Sequence, residues 1–141
     1  MTPETYAYIL AATLKLSGIP APASAPPPVV AATREHLASE MCPDRPADCR
    51  GVVAMFDTER NRILLRDDMD PDDDEIAASF VVHELTHWLQ FHRWGPRIYA
   101  TCEATLRTEH DAYSVQNKYL AARGAMFKAG AVLWAMKCPK E

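Results

Sequence analysis

The sequence predicts an α+β fold, a small antiparallel sheet packed on three to four helices, as one domain over residues 1–141. Three observations carry that expectation. Two β-rich runs, residues 51–56 and 62–66, flank the polar stretch Asp57-Thr58-Glu59-Arg60-Asn61, the pattern of a hairpin. Between Ile76 and Leu89 apolar residues recur at helical spacing, closed by Gly95-Pro96. A second helical stripe runs through residues 97–123. With 141 residues, 48% of them hydrophobic and 24% charged, the chain can bury one core without relying on staples.

Taken in order, residues 3–17 read as a first helix ending near Gly18, and the Pro- and Ala-rich stretch 19–28 as a connector. The apolar run near the start is not read as a signal peptide. Glu4 precedes it, no basic residue does, and Lys15 interrupts it. Residues 28–33 offer a short strand, and 34–39 either extend it or turn into helix. Residues 41–50, with two prolines and two cysteines, form a loop before the hairpin. The next helix is the best marked, with Asp70 as N-cap, Pro71 in the first helical position and Asp73 completing the cap. After the long helix of residues 97–123, Gly124 separates a last helix over residues 125–137.

The net charge of −4 and the lack of a basic stripe argue against a nucleic-acid partner, and no apolar run reaches transmembrane length. Nothing in the chain sets an oligomeric state. Seven carboxylates between residues 67 and 75 read as a solvated loop and helix start. They lack the Gly and terminal Glu spacing of a calcium loop. Cys42, Cys49, Cys102 and Cys138 permit two disulfides, 42 with 49 and 102 with 138, or four buried thiols. Pairing goes with a secreted or periplasmic location, free thiols with the cytoplasm.

The chemistry is concentrated in His83-Glu84-Leu85-Thr86-His87. Four residues apart on a helix, His83 and His87 present their imidazoles on one face, half of a tetrahedral zinc site. Glu84 is rotated by roughly 100° from His83. That puts its carboxylate beside the metal, where a general base takes a proton from water. In a chain of this composition chance yields the pattern on the order of once in a hundred. A catalytic zinc needs a third protein ligand, and Glu109 is favoured because it is a carboxylate on an otherwise apolar stripe with Cys102, Leu106, Tyr113, Gln116 and Leu120. The plain alternative is a salt bridge from Glu109 to Arg93 or Arg97. Glu103 falls on another side of the helix, and His92 and His110 are weaker candidates.

His83-Glu84-Leu85-Thr86-His87 followed by a glutamate on a second helix resembles the gluzincin branch of the zincin metallopeptidases. Glu109-His110-Asp111-Ala112 is similar to the Glu-x-x-Ala pattern of small bacterial members of that clan. The metzincin extension is absent, since Gly95 and Pro96 end the helix. The resemblance covers residues 52–120. It implies that His83, His87 and Glu109 bind zinc and that Glu84 is the general base of peptide-bond hydrolysis. It also implies that the strand before the active-site helix, residues 62–66, lines the cleft and pairs with an extended peptide or protein substrate. Larger gluzincins carry an oxyanion-stabilising His or Tyr in a further domain; here Tyr113, His110 or Tyr99 could serve. Two other readings stay open: a zinc-containing protein-interaction domain with little catalysis, which the small size favours, and a latent enzyme whose N- or C-terminal tail blocks its cleft.

Overall fold

A computed structural model describes residues 1–139. Helix α1 (Pro3–Ser17) begins where Thr2 caps Thr5 with its side chain and Pro3 supplies a ready-set φ. It ends where Gly18, at φ 68°, returns its N–H to the Leu14 carbonyl. Ile9 and Thr13 of this helix are fully buried, so α1 is part of the core.

Strand β1 (Val29–Ala32) leads into helix α2 (Arg34–Met41), capped by Thr33, which resolves the ambiguous stretch after residue 33 as helix. A short 3-10 turn (Pro46–Cys49) follows, and Cys42 and Cys49 are joined across it as a disulfide. Strands β2 (Ala54–Asp57) and β3 (Arg62–Arg66) form the expected hairpin, Ala54 opposite Leu65 and Asp57 opposite Arg62. Asn61 takes the left-handed position of the turn, at φ 49°, which asparagine tolerates better than most residues.

The sheet is mixed rather than antiparallel. Its order is β1-β3-β2, and β1 runs parallel to β3 with Val29 opposite Ile63 and Ala32 opposite Arg66. The reason is the path between them: after α2 and the following turn the chain runs back through β2, and the hairpin then returns it as β3 in the direction of β1. The centre of the sheet is therefore β3, not an edge, and this explains why Ile63, Leu64 and Leu65 are all buried. Ile63 and Leu65 face the main core with α1 and helix α3 (Glu75–Trp94), whereas Leu64 faces Leu37 of α2.

The hairpin is held by one buried carboxylate. Asp57 accepts from the backbone N–H groups of Glu59 and Arg60, and from the Arg60 and Arg62 guanidinium groups at 3.2 and 3.1 Å. Burial pushes this carboxyl up, but the bonds from Arg60, Arg62 and Glu59 outweigh it and hold it below its ordinary value. A carboxyl lowered on folding stabilises above its unfolded pKa and loses that contribution as pH falls. Acid titration of the wild type should accordingly show loss of stability below about pH 4. Asp57→Ala should remove about 2 kcal/mol at neutral pH and flatten that acid limb in denaturant melts.

Helix α3 starts later than Asp70. Residues 71–73 form a turn, and Asp74 caps the helix by accepting from the Ile76 N–H at 2.9 Å. Asp72 is drawn off toward the amino terminus and Thr2 instead. Every residue from 81 to 90 is buried, so α3 is the central helix, enclosed on all sides. After Gly95 a 3-10 turn (Pro96–Tyr99) precedes helix α4 (Cys102–Ala122), capped by Thr101, so the long helix begins five residues after Arg97. Helices α3 and α4 make the most extensive pairing in the molecule. Among the described residues no helix is long and apolar enough to cross a membrane.

The last helix expected over residues 125–137 does not form. Apart from one 3-10 turn (Ala131–Trp134), this stretch is an extended strap running back along α4. Three constraints take it out of helical geometry. Asn117 accepts from the Ala129 N–H at 2.8 Å and donates to the Ala129 carbonyl at 3.0 Å. Gly130 sits at φ 93°, with the Tyr113 ring so close that an added Cβ would lie 2.8 Å from its Cγ. Cys138 is disulfide-bonded to Cys102 at the far end of α4.

Candidate metal centre

His83 and His87 lie one turn apart on α3, both only 4% exposed, on the side that meets α4. Glu109 of α4 reaches between them. Its Oε1 lies 2.6 Å from His87 Nε2 and its Oε2 lies 3.3 Å from His83 Nε2. The two Nε2 atoms are 3.1 Å apart. All three ligand atoms fall within 4.8 Å of one another, so His83, His87 and Glu109 form a group that is able to hold a metal ion. Glu103, on the exposed first turn of α4, takes no part, and Glu109 has no arginine partner among the described residues.

Donor chemistry supports that assignment. His83 Nδ1 lies 2.9 Å from Gln116 Oε1, and His87 Nδ1 lies 2.8 Å from Gln90 Oε1. An amide oxygen only accepts, so each Nδ1 carries the proton and each Nε2 is turned toward Glu109. Two nitrogen lone pairs and a carboxylate crowded into this space require positive charge among them.

Without metal, the same surroundings favour a proton on His87. Burial works against the charged form of His87, but its bond to Glu109 and the charges of Glu84 and Glu109 prevail and raise its pKa. Burial likewise pushes the Glu109 carboxyl up, yet the two histidines hold it well below the ordinary carboxylate range. The charged form of Glu109 is thus favoured, which is the form that can ligate a metal.

Glu84 is buried beside the group, its Oε2 4.0 Å from His83 Nε2. Two tyrosines flank the histidines: the Tyr113 ring centroid is 4.3 Å from that of His83, and Tyr99 is 6.1 Å from His87. Burial first, then the charges of Glu109 and Glu84, push Tyr113 up to about 12, so it remains a hydrogen-bond donor. Tyr99 is raised by burial and the same two carboxylates. His110 lies on the exposed side of α4 beside Asp111, and His92 packs on the ring of Trp88. Neither joins the centre.

A cavity of about 650 Å³ opens onto His83, Glu84, Glu109 and Tyr113. Its second wall is residues 51–54, which run into β2, together with Phe80; its third is the strap at residues 127–132. Residues 62–66, expected to line this cleft, do not. As the central strand β3 already has partners on both sides and offers no free edge to a peptide. The edge strand on the cleft side is β2.

Sequence reasoning found the three clustered side chains and Glu84 but not the residues behind them. Gln116 stood on the right helical stripe without a role, and Gln90, three residues after His87, was passed over. The usable signal was an uncharged amide at helical spacing from a ligand. No protein-family model, no curated protein and no solved structure matches this chain.

Proposed function

We propose that the protein is a zinc-dependent hydrolase of peptide bonds, as its resemblance to the gluzincins implies, with His83, His87 and Glu109 as ligands. The observation that carries this reading is the buried Glu84 carboxylate beside the ligand cluster, facing a cavity large enough for a peptide segment. A purely structural site has no use for such a base. When bound, zinc supplies positive charge that polarises a carbonyl and makes water more acidic. The chain's own groups do the rest. Glu84 takes the proton of the attacking water and delivers it to the leaving nitrogen. Tyr113, a neutral phenol against the His83 ring, donates to the oxygen on which negative charge develops. The apolar residues of the strap and of 52–54 hold the substrate's side chains.

One observation favours a latent form of the same enzyme: the strap lies along the cleft and is locked by the Cys102–Cys138 disulfide. The test is digestion of a broad peptide mixture by zinc-loaded protein, with and without prior reduction. Cleavage should be lost on chelation and restored by zinc. Stoichiometric zinc with no cleavage in either redox state overturns the hydrolase and leaves a zinc-containing interaction domain.

A further inference from the structure

We infer that Gln90 and Gln116 are positioning residues that build the metal site before any metal arrives, by fixing the tautomers of both histidines and the register of α3 against α4. This rests on reading the cluster as a metal centre.

The orientation of each amide is forced by its far end. Gln90 Nε2 donates to the Thr108 carbonyl at 3.1 Å, and a backbone carbonyl can only accept. Its oxygen must then face His87. Ser79 Oγ donates to the Ile76 carbonyl at 2.6 Å, so it accepts from Gln116 Nε2 at 3.0 Å. The Gln116 oxygen must then face His83. Each chain of bonds has a single direction, and each ends with a proton on Nδ1. The lone pairs left over are the two Nε2 atoms that converge on Glu109.

The two amides also cross the helix interface in opposite senses. Gln90 of α3 bonds the main chain of α4 at Thr108, immediately before Glu109. Gln116 of α4 bonds Ser79 and His83 of α3. A slide of one helix by a single residue, about 1.5 Å, would break both bridges together. Glu109 is thereby held opposite the histidines by groups that do not themselves touch a metal. Gln116 is fully buried and Gln90 nearly so, and neither has a polar partner outside these bridges among the described residues.

The experiment compares Gln90→Leu and Gln116→Leu, which keep bulk but remove the acceptor, with Gln90→Glu and Gln116→Glu, which keep it. Zinc affinity is read by competition with a chromophoric chelator, and the imidazole Nδ1–H signals are read by nitrogen-15 NMR on metal-free protein. Each leucine variant should bind zinc about 10- to 100-fold more weakly and lose the Nδ1–H signal of its own histidine. Each glutamate variant keeps the acceptor but not the donor end, so it should recover the Nδ1–H signal while the bridge across the helices stays unmade. Leucine variants with wild-type affinity and unchanged signals overturn the inference, as do glutamate variants whose Nδ1–H signal stays lost, because bulk alone would then be responsible. If the wild type binds no zinc, the metal reading fails. Even then the metal-free spectra decide whether the glutamines set the tautomers.

Discussion

Glu109→Ala is expected to abolish the proposed zinc binding, with affinity falling by more than about a hundred-fold, whereas Glu103→Ala leaves it unchanged. The argument is geometric. Glu109 alone brings a carboxylate to both imidazoles, at 2.6 and 3.3 Å, and it comes from a different helix than they do. Its loss leaves two histidines on one helix, with no carboxylate between their Nε2 atoms to complete the ligand set. Removing groups that merely orient a ligand typically costs about 10- to 100-fold, so removing a ligand itself should exceed that. Glu103 sits exposed in the first turn of α4, where it faces the helix N-terminus and solvent. Its replacement should change stability by no more than about 0.5 kcal/mol. Metal analysis after dialysis, with melts of the metal-free proteins, separates the two. Zinc lost from Glu103→Ala but kept by Glu109→Ala would refute the assignment.

The second large effect is on turnover. On the proposed function, Glu84→Gln should keep zinc binding and fold while lowering the proposed peptide hydrolysis by about a hundred- to ten-thousand-fold, the usual contribution of a general base. Glutamine preserves the volume of a buried side chain and keeps a hydrogen-bonding end, so the helix has no reason to rearrange. It cannot accept a proton at neutral pH. Rates with zinc occupancy measured on the same samples decide the matter. A fully loaded variant cleaving at the wild-type rate removes Glu84 from the mechanism and points to another base.

What was legible in the sequence was what local geometry determines. The bounds of α1 follow from Thr2, Pro3 and Gly18, and those of β3 from a short apolar run between arginines. His83 and His87 share a face because of helical pitch alone. Glu109 was legible because a carboxylate on an apolar stripe demands a partner. The parallel pairing of β1 was not, because it depends on where α2 returns the chain. The end of the chain misled for a similar reason. Residues 125–137 carry helix-compatible side chains, but contacts from Asn117, Tyr113 and Cys102, all distant in sequence, hold them extended. Gln90 and Gln116 stayed silent since a neutral amide, unlike a buried charge, gives no warning that it needs a specific partner.

The strap gives the cleft two walls of unequal stiffness. On one side, residues 81–90 are buried on every face, and disturbing them means disturbing the whole core. On the other, among the described residues, 126–132 hang from α4 by the paired bonds of Asn117 and Ala129, with Met126 96% exposed. A local opening there breaks few contacts and leaves the centre in place, while the tether from Cys138 to Cys102 limits how far the segment can travel. Amide hydrogen exchange should therefore be fast along the strap and track global unfolding along α3. A molecule entering such a cleft meets a fixed reference point at the histidines and a yielding surface opposite. Side chains of different bulk can then be received without moving the histidine cluster.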